Sequence, residues 1–364
     1  MKLKKLAFCI TCMNRVEHLK TTLHKNIHDN YLMDDVEFVL LDYNSSDGLS
    51  EWIADNFSEY IKEGILTYYK TFTPKIYDRS HSRNMAFKLA NAQLVCNLDA
   101  DNFLGEGFAS FLIEEYEQKE DIFYTSNHHL RDVIGRICMR KKDFLQVRGY
   151  NEIFKGYGFE DVELIVRLGR SGLKHKIFNN PQYYGAIQHP HEYRLSHENA
   201  EKSLVKVFLS YISPVKTRFI VLKSDNRYES GILIDNIHIN GCLVDEILTN
   251  YEKILDSRFQ VVLENWEEGF WSGDKQEFIL KKENTKKINF LCNRQDKFMM
   301  NDSLEFYEIT DEYIEMLFSF LLIGAKNFKY YTDFINSGEK VNKNGYGLGV
   351  VYKNFNFADA IEIE

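Results

Sequence analysis

The amino-acid sequence predicts an α/β protein in which helices flank a mostly parallel sheet. Over the first 200 residues, short apolar runs alternate with segments whose apolar residues recur at helical spacing. The runs 36–41 and 94–98 are mostly apolar, as expected for strands buried on both faces. Beyond residue 200 the pattern changes to strands separated by polar turns, followed by one long helix. We therefore predict an α/β domain over 1–200 and a smaller α+β domain over 201–364.

The elements of the first domain follow from local patterns. Val16, Leu19, Leu23 and Ile27 form one helical face, and the turn 44–48 supplies N-cap candidates for the next helix. Strands are predicted at 5–12, 36–41, 65–69, 94–98, 122–127, 134–139 and 183–187, and helices at 16–27, 49–60, 78–92 and 107–117. In the second domain we predict strands at 218–222, 231–239, 259–263, 277–281 and 287–291, and a helix at 311–335.

Composition excludes two classes of function. The chain has 364 residues and a formal net charge of -9, whereas nucleic-acid binding requires clustered Lys and Arg. No apolar stretch reaches the length of a membrane span; the run 316–325 has about half of the ~20 residues required. We expect a reduced, cytoplasmic protein, and a position peripheral to the inner face of the membrane is compatible with this. The C-terminal part could bind acceptor, form a homo-oligomer or join a membrane-associated assembly.

Cys9 and Cys12 form a C-x-x-C pattern at the end of the first predicted strand. A zinc site requires further Cys or His ligands, and a redox motif requires a helix N-terminus directly after the pair. We therefore predict that both are small buried residues of the core.

Two carboxylates, Asp99 and Asp101, directly follow the predicted strand 94–98. In α/β sheets ligands bind at the carboxyl ends of the strands, and carboxylate oxygens there suit Mg²⁺ or Mn²⁺. The alternative is an Asx-rich turn that only closes the strand.

A second acidic pair, Glu160 and Asp161, opens a predicted helix within GYGFEDVELIVRLGRSG at 156–172. In that helix Val162, Ile165, Val166 and Leu168 are spaced for a buried face. Acidic residues in a first helical turn also interact favourably with the helix dipole, which is the structural alternative for the pair. Further along, 188–191 reads Gln-His-Pro-His.

These motifs together resemble the GT-A glycosyltransferases of family 2, close to the β-1,4-galactosyltransferase and chondroitin-polymerase group. The similarity covers about the first 200 residues and lies in TCMNRVEHLKTTL, LLDYNSSDG, SRNMAFKLA followed by LDAD, and GYGFEDVELIVRL. Their order and spacing match that group. The resemblance implies a GT-A fold, a UDP-sugar donor, and Mn²⁺ or Mg²⁺ as cofactor.

The resemblance also implies a metal site. Asp101 would ligate the cation directly, and Asp99 would hold the ribose or a metal-bound water. His189 resembles the distant histidine that completes such sites, and His191 is the competing candidate.

The same comparison assigns the substrate contacts. Asp42 would contact the uracil or the ribose, and Thr11, Arg15 and Arg83 would line the nucleotide; the alternative for both arginines is an ordinary surface or capping pair. On the acceptor side, Asp161 would be the general base, Glu160 would hydrogen-bond the acceptor sugar, and Tyr157 would stack on it.

We therefore predict a metal-dependent transferase for polysaccharide or glycan biosynthesis. It would move a hexose or N-acetylhexosamine from a UDP-sugar to a hydroxyl of a saccharide or lipid-linked saccharide, with inversion. One alternative is a catalytically inactive nucleotide- or glycan-binding protein. A sugar nucleotidyltransferase is disfavoured because it needs a glycine-rich phosphate loop after the first strand, and 11–19 contains no glycine.

Overall fold

The computed structural model describes residues 3–32, 34–127, 133–188, 204–213, 216–234, 262–295 and 297–364. The chain divides into two compact units. The first comprises Met1–Gln188 and Phe334–Glu364, and the second comprises His189–Asp333. This division differs from the predicted domain boundary, because the end of the chain returns to the first unit.

The N-terminal part of the first unit alternates strand and helix, as predicted. Its elements are β1 (Lys4–Cys12), α1 (Val16–Asn30), β2 (Val36–Tyr43), α2 (Leu49–Lys62), β3 (Leu66–Thr71), α3 (Arg79–Leu89), β4 (Ala92–Asn97), α4 (Phe108–Gln118), β5 (Ile122–Thr125), β6 (Ile137–Arg140), α5 (Lys141–Gln146), α6 (Glu160–Arg170) and β7 (Lys174–Ile177). In place of the predicted strand 183–187, a short 3-10 helix (Pro181–Tyr184) is followed by an isolated bridge between Asn102 and Ala186.

In the described residues of the second unit, eight strands pair antiparallel in a closed ring. They are β8 (Leu204–Ser213), β9 (Lys216–Lys223), β10 (Arg227–Ile234), β11 (Val262–Gly273), β12 (Glu277–Lys282), β13 (Ile288–Asn293), β14 (Phe298–Met300) and β15 (Leu304–Ile309). The helix α7 (Glu312–Ser337) follows, and its Phe318 and Leu322 share a buried cluster with Val207 and Leu209. Two predicted strands lie partly outside the described residues: the end of the strand 231–239 and the start of the strand 259–263.

Two final strands, β16 (Gly349–Lys353) and β17 (Ala360–Ile363), complete the sheet of the first unit. The order of the nine strands is β17-β16-β3-β2-β1-β4-β6-β5-β7. The pairs β3–β2, β2–β1 and β1–β4 are parallel. In contrast, β6 pairs antiparallel with β4 and β5, and β16 pairs antiparallel with β3. The sheet is therefore mixed: the predicted parallel pairing is found among the central strands β1 to β4 and between β5 and β7.

Both faces of the sheet are covered, as its mostly apolar strands predict. Along β1, Leu6, Phe8 and Ile10 belong to one buried cluster, which includes residues of α1, α2 and α4. Ala7 and Cys9 belong to another, which includes residues of α3, α5 and α6. Cys9 and Cys12 are both buried free thiols, in agreement with the structural role predicted for them.

The buried face of α6 differs from the prediction. Leu164 and Leu168 are fully buried, whereas Val162 is 38% exposed. The same face buries Glu163, which binds the Arg167 guanidinium through both carboxylate oxygens, at 2.5 and 2.7 Å. A paired charge can replace an apolar residue in such a position, and apolar spacing alone does not reveal it.

No helix among the described residues is long and apolar enough to span a membrane.

Candidate active site

The loops that leave β1 and β2 are bonded to each other at the carboxyl edge of the sheet. The Asn14 backbone, at φ 56°, donates to Ser45 Oγ over 3.0 Å, and Asn14 Oδ1 accepts from the Ser46 backbone at 2.8 Å. Asp47 Oδ2 accepts from the Val16 backbone N–H at 2.8 Å. Asp47 therefore satisfies an N–H group in the first turn of α1 from outside that helix, although its loop was predicted to cap α2.

Asp42, the predicted nucleoside contact, lies at the end of β2 and is fully buried. Its Oδ2 accepts from the Tyr68 hydroxyl at 2.7 Å and the Lys70 ammonium at 2.8 Å, and Oδ1 accepts from the Ser45 backbone at 2.7 Å. A buried carboxylate requires such partners. A nucleoside contact to Asp42 would compete with Tyr68 and Lys70.

Thr11 and Arg15, predicted to line the nucleotide, lie at the same edge. The Thr11 hydroxyl is 2.8 Å from the Tyr77 hydroxyl, and only 7% of Thr11 is exposed. Arg15 is the N-cap residue of α1, and its backbone carbonyl accepts from Leu19.

Arg83, on α3, lies among three carboxylates from two other parts of the chain. It donates to Asp161 Oδ1 at 2.9 Å and Asp99 Oδ1 at 3.1 Å, and contacts Glu160 Oε1 at 3.4 Å. Only 5% of its side chain is exposed. The helix is fixed at its start by Asp78, which accepts from the His81 backbone at 3.0 Å. The structure thus unites Arg83, Asp99, Glu160 and Asp161 in one cluster, which we call the carboxylate cluster.

Gly135 lies so close to the carboxylate cluster that an added side chain would have to displace charged atoms of the cluster. A Cβ atom added there would lie 2.9 Å from Arg83 Nη2, 3.0 Å from Asp99 Oδ2 and 3.4 Å from Asp161 Oδ2. The Gly135 carbonyl accepts from Asn97 Nδ2 at 3.0 Å, and the same amide group donates to Asp99 Oδ1 at 2.9 Å. Asp99 and Asp161 therefore approach the same small volume.

The two aspartates of the cluster differ in their electrostatics. Burial favours the protonated form of Asp99, but the Arg83 charge and the hydrogen bonds from Asn97 and Arg83 outweigh it and lower the pKa of Asp99. Burial raises the pKa of Asp161 to about 7, with Glu160 and Asp99 acting in the same direction and Arg83 opposing them. Asp161 can therefore exchange a proton near neutral pH, whereas Asp99 stays ionised.

In the loop before α6, three of the four residues 156–159 have a positive φ. Gly156, Gly158 and Phe159 have φ values of 65°, 101° and 73°. The left-handed conformation of a bulky residue such as Phe159 is strained, and strain of this kind concentrates at functional sites. Arg79 donates to the Gly156 carbonyl at 2.7 Å and lies 4.9 Å from the ring centroid of Tyr157, which is 37% exposed. The predicted sugar contact of Tyr157 stays a prediction.

Asp101, the predicted metal ligand, follows β4 at the same edge. Its Oδ1 accepts from Asn102 Nδ2 at 3.0 Å, and its carbonyl accepts from the Ile187 backbone at 2.8 Å. Within the part of the chain that the structure describes, no group of three His, Cys, Asp or Glu residues could hold a metal ion. His189 and His191 lie outside the described residues.

Arg136 was not predicted, yet it holds the segment that follows Asp101. It is 1% exposed and donates to Asn102 Oδ1 at 3.2 Å, to the Phe103 carbonyl at 2.9 Å and to the Tyr183 carbonyl. Burial lowers the pKa of Arg136 to about 10. One feature of the sequence could have indicated Arg136: it is an arginine inside the otherwise apolar predicted strand 134–139.

Comparison with known proteins identifies related sequences and structures. A family model described as the N-terminal domain of galactosyltransferase matches residues 127–192. No curated protein matches the chain.

Among solved structures, a mannosyltransferase from Pyrobaculum calidifontis, in complex with GDP-Man and Mn²⁺, is 14% identical with a TM-score of 0.44, over 55% of this chain and 62% of that chain. TarS 1-349 from S. aureus with UDP-GlcNAc is 13% identical with a TM-score of 0.45, over 58% of this chain and 62% of that one. The catalytic domain of Drosophila β1,4-galactosyltransferase 7 with xylobiose is 16% identical with a TM-score of 0.36, over 51% of this chain and 71% of that one.

Residues 127–192 are therefore similar to a galactosyltransferase domain. The family match covers the segment that contains Tyr157, Glu160 and Asp161, and the resemblance to galactosyltransferases predicted from the sequence is confirmed there. The chain spans 62% of the length of each of the first two solved structures named above.

Proposed function

We propose that the protein is a metal-dependent glycosyltransferase of polysaccharide or glycan biosynthesis. It transfers a hexose or N-acetylhexosamine from a UDP-sugar to a hydroxyl of a saccharide or lipid-linked saccharide, with inversion. The observation that carries this proposal is the placement of Arg83 between Asp99, at the end of β4, and Asp161, at the start of α6.

This placement supports separate roles for the two aspartates. Asp161 Oδ1 is bonded to Arg83, whereas Oδ2 accepts no hydrogen bond from a described residue. Oδ2 is therefore available to take the proton of an acceptor hydroxyl as its oxygen bonds to the anomeric carbon and the bond to the diphosphate breaks. A pKa of about 7 for Asp161 suits that task.

Arg83 has two effects on this chemistry. Burial favours its neutral form, but Asp161 and Asp99 outweigh burial and raise the pKa of Arg83 well above its usual value, so the guanidinium stays charged. Its hydrogen bonds fix the carboxylates of Asp161 and Asp99, and such orientation is a major source of catalytic rate. Glu160, 5% exposed, lies beside Asp161 and is proposed to bind the acceptor sugar, with Tyr157 stacking on it.

The side chains of Asp99 and Asp101 suit a divalent cation chemically, because they offer hard oxygen ligands at the carboxyl edge of the sheet. Asp101, Asp99 and His189 are proposed to hold Mn²⁺ or Mg²⁺, with His191 as the alternative histidine. When bound, the cation would offset the negative charge that develops on the diphosphate leaving group.

The test uses the full chain with Mn²⁺, a panel of UDP-sugars and a panel of oligosaccharide acceptors. Transfer is expected with at least one pair, and product NMR is expected to show inversion. Asp161→Asn is expected to abolish transfer and to retain Mn²⁺ binding, measured by electron paramagnetic resonance. Asp101→Asn is expected to weaken Mn²⁺ binding itself.

The matched control is Asp55→Asn, because Asp55 is exposed on α2. Wild-type rates are expected for it. Absence of donor binding and hydrolysis across the whole panel would overturn the proposal. Binding of UDP without transfer to any acceptor would instead favour the inactive binding protein.

A further inference from the structure

Tyr150, between α5 and α6, is fully buried and held firmly by its backbone. Its N–H donates to Asn84 Oδ1 at 2.7 Å, and its carbonyl accepts from Asn84 Nδ2 at 2.9 Å and from Asn342 Nδ2 at 2.7 Å. Asn84 is the residue after Arg83 on α3. The position of Tyr150 is therefore fixed relative to the helix that carries Arg83.

The Tyr150 ring packs beside the Arg83 guanidinium. The distance from Arg83 Cζ to the ring centroid is 5.4 Å, within the range of a cation–π contact. Phe87 and Phe144 lie on other sides, with ring centroids 5.9 and 6.3 Å from that of Tyr150. The ring thus restricts where the guanidinium can lie.

The Tyr150 hydroxyl is buried and has no hydrogen-bond partner among the described residues. Two further buried atoms also have none: Nε of Arg83, and Oδ1 of Asn97, whose amide group donates to Asp99. Burial raises the pKa of Tyr150 well above its usual value, and the charges that act on it are those of Arg83, Asp161, Asp99 and Glu160. The hydroxyl is therefore close enough to the carboxylate cluster to interact with it electrostatically.

Unpaired buried polar groups are rare in proteins, because each loses its hydrogen bond to water without replacement. Tyr150, Arg83 and Asn97 each have one such atom, and the three residues are linked by contacts: Arg83 lies beside the Tyr150 ring, and both Arg83 and Asn97 donate to Asp99. Buried water molecules commonly satisfy groups of this kind.

We infer that Tyr150 is a positioning residue of the transfer reaction. Its ring holds the Arg83 guanidinium between Asp99 and Asp161, and its hydroxyl binds a buried water molecule in the carboxylate cluster. The kinetic part of this inference rests on the proposed function, whereas the water molecule does not.

Tyr150→Phe tests the hydroxyl alone, because it keeps the ring. The matched control is Tyr228→Phe on β10, since Tyr228 is also a buried tyrosine, 1% exposed, whose hydroxyl has no partner among the described residues. Tyr150→Phe is expected to lower kcat about tenfold with little change in KM for the donor. The reason is that Arg83 would be less well oriented in the transition state, whereas donor binding would be little affected. Tyr228→Phe is expected to change neither, and both variants are expected to unfold within a few degrees of the wild type.

A crystal structure provides the second readout, which is independent of activity. In the wild type a water molecule is expected within hydrogen-bond distance of the Tyr150 hydroxyl and of Asn97 Oδ1 or Arg83 Nε. The inference is overturned if that hydroxyl binds no water, or if an active wild type and Tyr150→Phe have the same kcat. If the wild type transfers no sugar, the proposed function fails, and the crystal structure still decides whether the water exists.

Discussion

Arg83 Nη1 donates to Asp161 Oδ1 over 2.9 Å, although 78 residues separate the two in the chain. Both side chains are largely buried, with 5% and 13% of their surface exposed. Removing one member of such a pair leaves the other charge buried without compensation, which is strongly unfavourable. The behaviour of the site is therefore expected to depend on this pair.

Replacing Arg83 by Met is expected to lower kcat by about a hundredfold or more, because the orientation of Asp161 and Asp99 is lost. The variant is measured by steady-state transfer and by circular dichroism, which monitors folding. Arg294→Met is the control, since Arg294 is 63% exposed in the second unit and is expected to tolerate the change. Near-wild-type kcat in a folded Arg83→Met protein would contradict this role.

Asp161 is expected to make stability depend on pH. Its pKa in the folded protein is about 7, against 3.8 for an ordinary aspartate, so between these values the folded protein binds a proton that the unfolded chain has lost. Stability is therefore expected to fall as pH rises from about 4 to 7 because of this group. The Tm of Asp161→Asn minus that of the wild type is expected to be more positive at pH 8 than at pH 5, as measured by calorimetry. An equal Tm difference at both pH values would contradict the raised pKa.

Gly135→Ala is expected to destabilise the protein by about 1–3 kcal/mol, through overpacking against Arg83 and Asp99. It is also expected to lower kcat, because the added methyl group would displace the charged atoms that now lie 2.9 and 3.0 Å from its position. Denaturant unfolding and transfer rates measure the two effects. Gly169→Ala is the control: a Cβ atom there meets nothing within 4 Å, and alanine favours the α6 helix. Equal behaviour of the two variants would show that the cluster tolerates the methyl group.

Lys70→Met is expected to destabilise the protein by about 3–5 kcal/mol, because it leaves the fully buried Asp42 without its ammonium partner. The double variant Asp42→Asn with Lys70→Met is expected to recover much of that loss. Urea unfolding measures stability, and calorimetry with UDP measures binding. Unchanged UDP affinity in the double variant would assign Asp42 a structural role, whereas loss of binding would support the predicted nucleoside contact.

Several features of the fold were predictable because they depend on residues close together in the chain. The central strands β1 to β4 and the helices between them were found at the expected places, since apolar periodicity reports burial locally. The antiparallel pairing of β6 and β16 was not predicted. Strand direction in a sheet is decided by the path of the chain between strands, and β16 joins β3 from about 280 residues later, with Tyr352 opposite Lys70.

The sequence by itself determined which charged residues follow buried strands or open a helix, and so indicated Asp99, Glu160 and Asp161 as candidates for chemistry. Only the tertiary structure decided that Arg83 lies between them, that Lys70 neutralises Asp42, and that Arg136 holds the segment after Asp101. The physical reason is that periodicity and capping act within a few residues. The partner of a buried charge, in contrast, is chosen by how distant segments pack, and residue spacing does not encode that packing.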